Sequence, residues 1–210
     1  MTRLPSPPLL LITDRTLARG DLADVVGAAC AGGVRWISLR EKDLPKAEQI
    51  ALVARLRIVT APWGARLTLH GTPELARAAG ADGVHLSGGG DAAAARALLG
   101  PDALVGLSAH SLAEAAVAAP GVLDYLTASP VFPTTSKPGH GPALGVAGLG
   151  AFARTSSVPV IALAGIDADT LPICFRAGAK GVAVMGGIMR AEDPAAIVAT
   201  LLAGIPPHAI

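Results

Sequence analysis

Arg40, Lys42 and Lys137 each lie just beyond a short apolar run, in a chain with few other charges at such places. Three cations converging from the ends of two strands imply an anionic ligand. His70 closes the run "RLTLH" and His110 follows "LVGLS". Each could present an imidazole, which titrates near neutrality, as an acid or base. Ser108 adds a hydroxyl at the end of the same run as His110. "AGID" carries Gly165, and "MGGIM" carries Gly186 and Gly187. Both are glycine turns leading toward helical segments, where backbone N–H groups can hold a phosphate. The stretch "SPVFPTTSKPGHGPALG", Ser129 to Gly145, has no periodicity and is too long to be an idle connection. Thr134, Thr135, Ser136 and Lys137 offer donors there, Pro133 and Pro138 stiffen it, and Gly139 and Gly141 let it fold over. It reads as a lid that closes on an anion and excludes water.

Metal chemistry finds little support in the residues themselves. No HxH, HExxH or carboxylate pair stands at a strand end, and Asp91 is the single acid of its loop. Asp14 and Asp167 read as turn or helix-cap acids. His85 lies inside the four-residue run "GVHL" and reads as a hydrogen-bonded core histidine.

Positioning these residues requires a scaffold that the rest of the chain spells out. Short strand-type runs recur as "LLLIT", "WISLR", "RLTLH", "GVHL", "LVGLS", "YLTAS", "PVIALA" and "GVAVMG". Alanine-rich helical segments such as "DLADVVGAACA" and "DAAAARALLG" separate them. Strand then helix, eight times over, spells an α/β protein of the (β/α)8 TIM-barrel type, one domain over residues 1–210. An open doubly wound sheet would show GxGxxG after its first strand, and "ITDRTLARGD" does not. "AGGVRWISL", "AGADGVHL" and "AGAKGVAVM" each place a glycine between helix and strand, as a left-handed cap on the stability face. In a barrel the functional residues gather at the strand C-termini, which is where the cations, histidines and glycine turns fall.

Bulk properties narrow the function classes. Half the residues (51%) are hydrophobic but only 3% aromatic, so the core is built from Ala, Val, Leu and Ile. A net charge of +1 gives no footprint for nucleic acid or an anionic membrane. Cys30 and Cys174 lie in apolar helical contexts and read as buried structural thiols. The first apolar run is short and followed at once by Asp14 and Arg15, as in a strand rather than a signal segment. The expectation is a cytoplasmic protein with a small-molecule partner, leaving homo-oligomerisation open.

"LREKD", "ADGVHL", "GLSAHS", "SPVFPTTSKPG", "PVIALAGI" and "GVAVMGGI" together resemble the thiamine phosphate synthase/TenI superfamily over essentially the whole chain. The resemblance implies a TIM barrel that binds thiamine precursors. By position, Arg40, Lys42 and Lys137 would meet a diphosphate or carboxylate. Thr134 and Ser136 would line the thiazole side, and Gly165, Gly186 and Gly187 would hold a thiazole phosphate. Three departures bear on the reaction. The Asn-Asp pair of synthases after strand 3 is His70-Gly71 here. A further Asp falls at Gly90, one residue before Asp91, and the glutamine before "LREK" is Ser38. The first two remove oxygen ligands for the Mg²⁺ of the synthase reaction. The histidine that TenI uses before "VF" is Pro130. The pattern points to a TenI-like, metal-independent thiazole tautomerase needing no cofactor, with His70, His110 and Lys137 as catalytic candidates. The alternative is thiamine phosphate synthase, joining thiazole phosphate to hydroxymethylpyrimidine diphosphate with Mg²⁺ held through Asp91. A third reading is a non-catalytic module that binds thiazole or thiamine phosphate.

Overall fold

A computed structural model of the chain describes residues 3–134 and 142–207. Its strands are β1 (Leu9–Ile12), β2 (Trp36–Leu39), β3 (Arg66–His70), β4 (Gly83–Leu86), β5 (Leu104–Ala109), β6 (Tyr125–Ala128), β7 (Val160–Leu163) and β8 (Gly181–Val184). They pair in parallel, in chain order, and β8 closes on β1 to complete the barrel. Strands covered on both faces must be continuously apolar, which is why these runs are legible without alternation.

Helices cover the outside: α1 (Leu22–Ala31), α2 (Lys46–Thr60), α3 (Pro73–Ala79), α4 (Ala92–Leu99), α5 (Leu112–Ala116), α6 (Gly145–Thr155), α7 (Leu171–Arg176), α8 (Gly186–Met189) and α9 (Pro194–Ala203). Their starts are chemically marked. Asp21, Thr72, Asp91, Ser111 and Asp193 each accept a first-turn amide, and Ser111 with Glu114 forms a capping box. Gly33, Gly80 and Gly178 take positive φ at the helix-to-strand turns, as the repeated "AG" pattern predicts. Both cysteines are buried, and burial pushes each thiol up to about 11.

Two cores result. The larger fills the layer between strands and helices; the smaller, inside the barrel, contains Leu10, Ile12, Trp36, Tyr125, Ile161 and Ala183. Trp36 and Tyr125 meet edge to face at 4.7 Å and plug the interior. A Cβ on Gly106 would fall 2.0 Å from the Tyr125 ring, so β5 needs glycine there to admit the plug. Everything above this plug is free to form a site. Among the described residues, no helix is long and apolar enough to cross a membrane.

Candidate active site

Above the plug, a cavity of about 230 Å³ opens at the strand C-termini. Arg40, His70, His85, Ser108 and Thr134 form its polar wall. Gly165, Gly186 and Gly187 stand on the opposite side, joined by Arg190, and Ile12, Leu163 and Met185 supply apolar surface between. The strand order thus brings together seven residues that the sequence marks as binding or catalytic. Ser136 and Lys137 lie outside the described residues, as do Thr135 and the rest of the expected lid's tip. The base of that segment is well tied: Leu144 N–H donates to Pro130 O at 2.8 Å and Gly145 N–H to Val131 O at 2.9 Å.

The polar wall is a consequence of register. His70 and His85 are direct partners across β3 and β4, and their rings lie 4.8 Å apart. His85 is 4% exposed, with Nδ1 3.1 Å from the Tyr125 hydroxyl and Nε2 3.0 Å from Ser108 Oγ. Burial raises the Tyr125 pKa, so its phenol keeps its proton. His85 is therefore the hydrogen-bonded core histidine expected, but it also lines the cavity, a role the residue's place in a short strand concealed.

Arg40 and Lys42 are held by a buried carboxylate. Glu41 is 2% exposed and accepts from Thr13 Oγ1 at 2.7 Å and from Arg15 N at 3.0 Å. Thr13 Oγ1 in turn accepts the Arg40 N–H at 3.0 Å. Arg15 also grips Asp43, whose carboxyl it holds below the usual range. These bonds lock the loop after β2 onto the loop after β1 and leave Arg40 at the cavity. Lys42 turns instead into an adjoining groove, where its Nζ donates to Ser87 Oγ at 3.4 Å. Burial, then the Arg40 charge, lowers the Lys42 pKa. His70 lines both the cavity and this groove. It is the seam between them.

His110 lies at the rim and is not part of the cavity wall. Its Nδ1 is 3.3 Å from Ser129 O, and its ring passes Gly88 of the groove. On the glycine side, Ala164 and Gly165 both take positive φ, 82° and 67°. Asp167 also lines the cavity, but its carboxylate accepts from Asp169 N, Thr170 N and Thr170 Oγ1. Arg190, like His85, is a cavity residue that the sequence does not mark as part of the site. Its signal was spacing alone: four residues past Gly186, one helical turn on.

The family model described as thiamine monophosphate synthase matches residues 9–188. The chain belongs to this family. A Geobacter sulfurreducens relative is 45% identical over 202 residues, covering 95% of each chain. The Albidiferax ferrireducens thiamine-phosphate synthase is 39% identical, over 91% of this chain and 89% of its own. A solved thiamine phosphate pyrophosphorylase from Pyrococcus furiosus superposes with a TM-score of 0.83 at 30% identity, covering 97% and 96% of the two chains. These names agree with the synthase alternative rather than with the tautomerase that the departures at the metal positions favour.

The family resemblance brings Mg²⁺ into question, and the donor chemistry answers it. His70 and Gly71 offer no oxygen side chain where synthases have Asn-Asp, and Gly90 offers none after β4. Two carboxylates do line the groove, Asp91 and Glu74. Asp91 Oδ1 accepts Ala94 N–H at 2.9 Å as the cap of α4. The Glu74 carboxyl is held below its usual range by its own N–H and the Thr72 hydroxyl. Both are committed to helix starts. Among the described residues, no group of three or more His, Cys, Asp or Glu could hold a metal ion. The residues present do not fit Mg²⁺ at the family's positions.

Proposed function

We propose that the chain is a thiamine phosphate synthase that transfers a hydroxymethylpyrimidine group from its diphosphate to a thiazole phosphate. One observation carries this reading: two compartments suited to anions meet at His70, the cavity with its glycine turns and the groove with Lys42. A tautomerase acting on one thiazole phosphate needs only the first. The names of relatives at 38–39% identity over most of this chain support the same reading.

In such a transfer the thiazole nitrogen attacks the pyrimidine methylene carbon. The carbon–oxygen bond to the diphosphate breaks, and its electron pair leaves with pyrophosphate. Charge therefore grows on the leaving oxygen, and fixed donors aimed at it lower the barrier. Arg40, locked by Glu41 and Thr13, and Lys42 beside it are suited to that task, with His70 at the seam. The thiazole phosphate would sit at the glycine turns. In α8 the amides of Ile188 and Met189 already donate to Met185 O. The first-turn amides of Gly186 and Gly187 are the ones that a helix leaves without internal acceptors.

Incubation with both precursors should yield thiamine phosphate and pyrophosphate, with and without EDTA. A strict Mg²⁺ requirement would make Asp91 the residue to test as a ligand, with Asp91→Asn expected to raise the Mg²⁺ needed. His70, an imidazole where the synthases hold oxygen ligands, favours a second reading, metal-free thiazole tautomerisation. Aromatisation of a thiazole carboxylate phosphate without pyrophosphate release would establish it. Tight ester binding with neither turnover would leave the binding module.

Lys42 gives this proposal a pH signature. Its lowered pKa means its charge is lost as pH rises through a value below the ordinary lysine range of about 10.4. Pyrophosphate affinity, followed by calorimetry, should therefore weaken on the alkaline side earlier than an exposed lysine would allow. Lys42→Arg should move that weakening to higher pH, and an unmoved profile would take Lys42 out of the site.

A further inference from the structure

We propose that Arg190 is a substrate-binding residue that grips the phosphate of the thiazole ester and makes the site select the phosphorylated ligand over its alcohol. The inference rests on the reading of the glycine turns as the phosphate seat.

Arg190 caps the C-terminus of α8 and lines the cavity together with Gly165, Gly186 and Gly187. Its guanidinium is drawn back over the turn. A Cβ built on Gly186 would fall 2.5 and 2.6 Å from its two terminal nitrogens. The space that a side chain at 186 would take is filled by this cation, so glycine there admits Arg190 to the phosphate seat. The backbone beneath it is fixed, since Arg190 N–H donates to Gly186 O at 3.1 Å and Arg19 N–H to Met189 O at 2.9 Å.

No carboxylate within reach competes for it among the described residues. Glu192, two residues on, pairs with Arg19 at 2.8 Å. Asp193 caps α9 through Ala196 N–H, and Asp167 is committed to Thr170 and Asp169. By contrast, Arg15, Arg55, Arg57 and Arg96 each hold a carboxylate. Arg190 therefore presents its guanidinium to the cavity beside the glycine turns. A planar fork of N–H donors matches phosphate oxygens two at a time, and an alcohol offers nothing equivalent.

Calorimetry on the intact protein with hydroxyethylthiazole phosphate and with unphosphorylated hydroxyethylthiazole tests this. Arg190→Gln should weaken the phosphate ester by about 10–100-fold, the loss of a charge-assisted bond, and leave the alcohol unchanged. In turnover, KM for the ester should rise while kcat holds, and Arg190→Lys should recover part of the affinity. Gly186→Ala, which displaces the guanidinium, should reproduce the selective loss. If Arg190→Gln binds the ester as well as the native protein does, the proposal is overturned and the glycine seat stands. Equal losses for ester and alcohol also overturn it, since they mean Arg190 only shapes the cavity. If the native protein itself shows no preference for the ester, the phosphate seat fails and this inference with it.

Discussion

His70→Asn should lower turnover by about 10²–10⁴-fold, the usual contribution of a proton-donating or proton-accepting side chain, while thiazole phosphate affinity stays near native. Asparagine keeps a polar group at the end of β3 but carries neither charge nor a titrating proton. His70 is the residue common to the cavity and the groove, so it touches the place where the two substrates would meet. Its neighbour His85 is already committed to Tyr125 and Ser108, and His110 sits at the rim against Ser129 O. Affinity should survive because the glycine turns and Arg190 stand on the other side of the cavity.

The pH profile of kcat separates the two reactions that His70 could serve. As a charged donor to a leaving diphosphate it must be protonated, so activity declines only as pH rises. As the acid and base of a tautomerisation it must pass through both forms, so activity declines on both sides. A native profile with the alkaline limb alone, missing in His70→Asn, is expected. Full turnover by His70→Asn together with a dead His110→Asn would transfer the role to the rim.

How much of this was legible beforehand follows from which face of the barrel a residue occupies. The eight runs were readable because parallel strands buried on both sides are near-continuous apolar runs. Their C-terminal ends then gave Arg40, Lys42, His70, Ser108 and the glycine turns, all of which line the cavity or groove. His110 stands at the rim because it follows the last residue of β5; the inward residue of that strand end is Ser108, two positions earlier. His85 is the core histidine expected, yet it lines the cavity as well. It is buried and hydrogen-bonded, as a core histidine is, but its register partner is His70, and pairing across strands is not written in either strand alone. Arg190 escaped because attention to strand ends stops one helical turn short of it. The Asp91 carboxylate serves α4 as a cap, the commoner duty of an acid just before a helix.

Gly165→Ala should be the most damaging single methyl in the molecule's upper loops, lowering the free energy of unfolding by about 2–5 kcal/mol in urea titrations. Two costs combine. At φ 67° a Cβ strains the backbone by about 1–2 kcal/mol. The same Cβ would fall 2.6 Å from Phe132 Cβ and 2.8 Å from Pro133 O, overpacking of a kind that typically costs about 1–3 kcal/mol. Those neighbours belong to the segment after β6, which is stitched to the same turn by Val131 N–H to Leu163 O at 2.9 Å and Phe132 N–H to Ala164 O at 3.1 Å. The methyl would therefore push the segment carrying Thr134 away from the phosphate seat, and ester affinity should fall along with stability. Ala164→Gly is the control. Ala164 sits at φ 82°, so glycine relieves its strain while adding about 0.5–1 kcal/mol of chain entropy to be lost on folding, and the net change should stay within about 1 kcal/mol. If Gly165→Ala is as mild as Ala164→Gly, contact with the segment after β6 is not what requires glycine at this turn.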